Sequence, residues 1–203
     1  MMTHDEVLTQ WIPYRLQAID TLQFAWDLLG ESEEPRQVEV IVDGSVKLRG
    51  NVAAIANPMI EVGVIHARAL LEFLGLSAKG GKLKPIHNRR QDDIAVEQFS
   101  TPAIPISIVT PSTALSAYAG PEEEAEKALV AIFEWANKGL AHVTTGTLSG
   151  HYTDQHLDIA CRGIPALLHN HLYAKLGKEI PKPPSWVGSQ GSPHTRFSPA
   201  SLP

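Results

Sequence analysis

Val52-Ala53-Ala54-Ile55-Ala56-Asn57-Pro58-Met59-Ile60-Glu61-Val62-Gly63-Val64-Ile65-His66-Ala67-Arg68-Ala69-Leu70-Leu71-Glu72-Phe73-Leu74-Gly75-Leu76 is the stretch whose reading decides the fold class. Apolar side chains recur on almost every side at 3.6-residue spacing, and a helix apolar all round is a central, buried one. Asn57-Pro58 marks its start or a kink. The charged residues are placed with order. Glu61, Arg68 and Glu72 are separated by seven and four, nearly whole turns, so they share one stripe. An ion-pair stripe that orients the helix and a phosphate anchor at Arg68 are the two readings of that pattern, and two carboxylates beside one guanidinium favour the first. His66 falls about 160° around the helix from Arg68 and reads as a hydrogen-bonded core histidine.

Upstream, residues 5–29 repeat Trp11, Leu16, Ile19, Leu22, Phe24, Trp26 and Leu29 at roughly helical spacing up to Gly30, with Pro13 near the start. Between these helices the period changes to two. Residues 38–42 are mostly β-branched, Asp43-Gly44 is a tight-turn pair, and Val46-Lys47-Leu48 alternates, which predicts a β-hairpin over 37–50. An isolated hairpin is marginal, so this one is expected against the helical body.

Downstream, residues 77–91 read as a basic loop around Gly80-Gly81, carrying Lys79, Lys82, Lys84, Arg89 and Arg90 as candidate phosphate contacts. Residues 100–120, with Pro102, Pro105 and Pro111, read as an ordered connection or a lid. Pro121 followed by Glu122-Glu123-Glu124 is a helix start, with acids at the positive end of the dipole. A last helix begins near Thr153-Asp154 and runs to Leu176 before Gly177, kinked by Pro165. Residues 181–203 are rich in Pro, Ser and Gly and read as a tail. The expectation is a mainly α fold: one domain over 1–180, an up-and-down bundle of about four long helices with one small β-hairpin.

Composition bounds the rest. A chain of 203 residues with 43% hydrophobic and 19% charged residues has the makeup of a globular domain. No uninterrupted apolar run approaches the roughly 20 residues that cross a bilayer, so no membrane partner is expected. The first residues lack the basic head and apolar stretch of a secretory signal. The single cysteine, Cys161, excludes an internal disulfide and a cysteine-rich zinc site, and it fits a reducing cytoplasm. The nine histidines form neither HExxH nor a Glu-x-x-His pair, so neither a metal nor another cofactor is expected. A net charge of -5 argues against a broad electrostatic grip on nucleic acid but leaves room for a local basic patch.

The segment that could carry chemistry is Asn137-Lys138-Gly139-Leu140-Ala141-His142. Lys138 and His142 are four apart and project to one side. An imidazole to move a proton beside an ammonium to steady phosphate charge is a phosphodiester site; two cations favoured by a helix C-terminus is the plainer account. Arg162 and His169, seven apart on the last helix, read either as a phosphate-binding pair or, more commonly, as part of a polar surface face.

This segment resembles the RNxxAH motif of HEPN-domain proteins, small helical bundles that often dimerise and include metal-independent ribonucleases of toxin, defence and RNA-processing systems. Ala141 and His142 match the end of the motif, whereas Asn137 stands at its arginine and Lys138 at its asparagine. Two further stretches, residues 66–74 and Arg90-Gln91-Asp92-Asp93, are similar to a group of uncharacterised bacterial helical proteins. The resemblance implies a homodimer, and it implies RNA as partner. Without the arginine, a binding or structural role linked to RNA or nucleotide is favoured over catalysis. The alternative is a metal-independent endoribonuclease in which His142, Lys138 and Asn137 are catalytic. A third reading is a small-molecule enzyme, its ligand unknown, with a lid at 100–120.

Overall fold

The computed structural model describes residues 2–30, 34, 36–140 and 153–182, with the side chains of 138–140 outside that set. The described residues are mainly helical, with two small antiparallel strand pairs. Besides a one-turn start α1 (His4–Glu6) there are five α-helices: α2 (Ile12–Gly30), α3 (Ala53–Leu74), α4 (Pro111–Ser116), α5 (Glu122–Glu134) and α6 (Asp154–Leu168). Three π-helical stretches adjoin them: Val7–Trp11 before α2, Trp135–Leu140 after α5 and His169–Tyr173 after α6.

The N-terminus is closed by a capping box, in which Thr3 accepts from Glu6 N while the Glu6 carboxylate accepts from Thr3 N at 2.7 Å. α2 then lies along α3, and Gly63 makes this possible, since a Cβ there would stand 2.4 Å from Leu22 Cβ and 2.8 Å from the Ala18 carbonyl. α3 starts earlier than Asn57-Pro58 and carries Pro58 inside it. It stops at Gly75, whose φ of 105° is the left-handed cap that glycine adopts without strain.

α3 is central but is not the most buried element. It buries eight of its 22 residues and leaves Val62 and Ile65 each 48% exposed, whereas α5 buries seven of 13. The all-round apolar pattern overstated burial because one stripe of α3 has no described neighbour over it. By length and mean hydropathy (22 residues, 1.2) α3 also meets the measure for spanning a bilayer, as core helices can; in this fold it packs on α2, α5 and α6.

Strand is more widespread than expected. β1 (Gln37–Val42) pairs antiparallel with β2 (Ser45–Asn51) across Asp43-Gly44, both at positive φ as a primed turn requires. This hairpin does not lie flat on the helices. Val40, Ile41, Val42, Val46 and Leu48 are all exposed, and only its base, at Val38, packs onto Ala25, Val52 and Ala56. The 77–91 segment is not a plain loop, for β3 (Leu76–Lys79) and β4 (Lys82–Pro85) form a second hairpin that turns on Gly80-Gly81. Glu126 of α5 holds it, accepting from Leu83 N at 3.0 Å and from Lys82 Nζ at 2.7 Å. Residues 100–120 are built into the core through Ile106, Val109 and Ala114, and Val109 N donates to Leu74 O at 2.8 Å. They form an ordered connection tied to the core at these points.

Candidate functional site

α3 presents a polar edge toward the end of α5, where the helix widens into the π-helical stretch Trp135–Leu140. Widened turns of this kind recur at functional sites because one residue is offered outside the regular ladder. Two contacts fix the place of this stretch. Trp135 stacks on Trp26 of α2, with centroids 6.3 Å apart, and Ala136 is buried in the core. Asn137 is thereby left exposed, and its carboxamide oxygen accepts from Arg68 Nη1. Arg68 Nε donates to Glu72 Oε1 at 2.8 Å, one turn on along α3. The guanidinium is thus oriented from two sides, while a third of its side chain (32%) remains open to solvent.

The expected stripe of Glu61, Arg68 and Glu72 is therefore half formed. Glu72 pairs with Arg68; Glu61 is exposed, and the second partner of the guanidinium is Asn137. Helical spacing placed the three acids and bases on one stripe but could not show that α5 would bring a nearer oxygen. Lys138, by its side chain, and His142 lie outside the described residues.

The basic residues of 77–91 do not converge. Lys82 is held by Glu126, which raises the ammonium above its ordinary range through the hydrogen bond and the charge. Arg89 is only 17% exposed and faces Glu97 at 3.6 Å. Lys79, Lys84 and Arg90 are exposed, and Arg90 uses its backbone N–H on Asp93. Of the five candidate phosphate contacts, Lys82 and Arg89 thus face a carboxylate, while Lys79, Lys84 and Arg90 are exposed. Arg162 is likewise committed, to Asp158.

A groove of about 510 Å³ lies between α2 and α6, lined by Gln23, Trp26, Asp27, Asp154, Asp158 and Cys161 among others. Three carboxylates make it a poor place for phosphate. Burial first, then the charges of Asp158, Asp20 and Asp27, push the Cys161 thiol far above its usual range, so it is no nucleophile. No residue of 100–120 lines this groove. Among the described residues no group of histidines, cysteines and acids is arranged to hold a metal.

Sequence reading missed one cluster altogether. His66 is half-buried and hydrogen-bonded, as expected of it, but its partner is Arg15 of α2, with Nη1 and Nδ1 2.8 Å apart. Tyr14 meets the imidazole edge-on at 5.3 Å, and the guanidinium lies 3.9 Å over the Trp11 ring. Burial, then the charge of Arg15, holds the imidazole below its ordinary range. Arg15 and His66 are 51 positions apart, so no local spacing signals the pair.

No family model, curated protein or solved structure matches the chain.

Proposed function

We propose that this chain is a HEPN-like RNA-binding protein in which Arg68 supplies the guanidinium that the 137–142 segment lacks. One observation carries the reading: Arg68, from a different helix, donates to Asn137, the residue that stands at the motif's arginine. An arginine fork held by Glu72 and Asn137 yet open to solvent is suited to a phosphate oxygen, which lysine, as a point charge, grips less well. Lys79, Lys84 and Arg90 would extend contact along a strand of RNA. The reading includes a cytoplasmic homodimer of up-and-down bundles, for which the exposed Val62 and Ile65 on the outward stripe of α3 offer an apolar surface. It needs no cofactor.

Binding rather than cleavage is the activity we assign, because the guanidinium already holds a carboxylate and an amide. The test is filter binding of an unstructured RNA oligonucleotide. Arg68→Ala is expected to weaken binding by about tenfold, the worth of one charge-assisted contact, with melting temperature nearly unchanged. Equal affinity in the two proteins contradicts the proposal. Metal-free cleavage that vanishes in His142→Ala would instead establish the endoribonuclease reading, with Lys138 beside it.

A further inference from the structure

Four of the described arginines each face a carboxylate. Arg49 holds Glu39, Arg68 holds Glu72, Arg89 faces Glu97 and Arg162 holds Asp158. Arg15 is half-buried and has no carboxylate among the described residues. Its contacts are the His66 ring nitrogen and the face of Trp11, and its Nε is enclosed without any hydrogen-bond partner. A guanidinium has no lone pair to offer, so His66 Nδ1 must accept from it. That assigns the tautomer: the imidazole is neutral and carries its proton on Nε2, as a second donor. The Tyr14 hydroxyl, on a ring 56% exposed, is a third group that can donate nearby.

A half-buried cation beside a neutral imidazole, with donors in excess and no acid, is half of an ion pair. We propose that Arg15, His66 and Tyr14 form a binding site for one oxyanion, a phosphate monoester or a carboxylate. The oxyanion takes free N–H groups of the Arg15 fork, while His66 Nδ1 and the Trp11 ring hold the guanidinium in place. It relieves two unfavourable conditions at once: the unneutralised charge of Arg15 and the pressure of that charge on His66. The site is independent of the RNA reading, since His66 lies about 160° around α3 from Arg68.

The oxyanion has two sources, a small molecule in solution or an acidic side chain of a second copy, and one experiment separates them. Inorganic phosphate and acetate are titrated at constant ionic strength into isotope-labelled full-length protein, with the His66 imidazole and Trp11 indole resonances followed by NMR. Sedimentation velocity is run on the same samples. A saturable shift in wild type that is at least about tenfold weaker in Arg15→Gln supports the site with a free ligand. No shift, together with a wild-type dimer that Arg15→Gln weakens at least about tenfold, supports it with a carboxylate from the second copy. Arg15→Lys, which keeps the charge but loses the planar fork, gives a loss in the same direction if Arg15→Gln does not fold. Shifts or dimerisation that are the same in wild type and Arg15→Lys, or absent altogether, overturn the proposal.

Discussion

Tyr173 Oη donates a 2.6 Å hydrogen bond to the Leu8 carbonyl, joining the last π-helical stretch to the first across 165 positions. The backbone explains why the carbonyl needs this donor. In the stretch Val7–Trp11 the Ile12 N–H reaches back to Val7 O, so the carbonyl of Leu8 would look five residues ahead. That residue is Pro13, which has no N–H. The phenol supplies what proline withholds, and burial pushes its pKa up, so that it stays a donor through neutral pH.

Tyr173→Phe should therefore cost about 1–2 kcal/mol, the price of an unsatisfied buried carbonyl. Chemical denaturation of the two proteins checks this. Equal stability would show that another donor serves Leu8.

Gly63 sets the distance between α2 and α3. With a Cβ it would stand 2.4 Å from Leu22 Cβ, and the neighbouring backbone oxygen of Ala18 cannot rotate away. Gly63→Ala is expected to destabilise by about 1–3 kcal/mol, despite the better helix propensity of alanine. Gly163 is a matched control in α6, where an added Cβ meets nothing within 4 Å, and Gly163→Ala should stabilise by up to about 1 kcal/mol. Thermal melts that rank the two substitutions the other way would refute this account of the helix pair.

Asp20 gives the fold a pH dependence. Desolvation raises its carboxyl from 3.8 to about 6. Between those values the folded chain keeps a proton that the unfolded chain releases, so stability falls as pH rises through the window and stays lowered above it. Asp20→Asn should then gain about 1 kcal/mol at pH 8, a figure reduced for the solvent contact of this residue. The gain should vanish near pH 4. Melting curves across that range check it, and an advantage independent of pH would contradict the assignment.

What the sequence made legible follows from the range of the interactions. Asp43-Gly44 and the β-branched run before it gave the first hairpin, because turn geometry and strand period are local. Gly80-Gly81 carried the same kind of signal, but the lysines of β3 and β4 masked it, and what secures that hairpin is Glu126, over 40 positions away. The period of α3 identified a helix but not which stripe would be covered, since that depends on where α2, α5 and α6 pack. The same limit applies to the candidate sites. The Arg68–Glu72 pair could be read from a spacing of four; Arg68–Asn137 and Arg15–His66 could not, because each spans two helices.

The central claim is that the Arg68 guanidinium, steadied by Glu72 and Asn137, is a phosphate contact for RNA. The salt dependence of binding tests it most directly, because each phosphate neutralised on a single strand contributes about 0.7 to the slope of log affinity against log salt. Wild type and Arg68→Gln are compared on one unstructured oligonucleotide from low to physiological salt. A slope shallower by about 0.7 in the variant, with weaker binding at every salt concentration, is the result this account predicts. Two superimposable lines would contradict it.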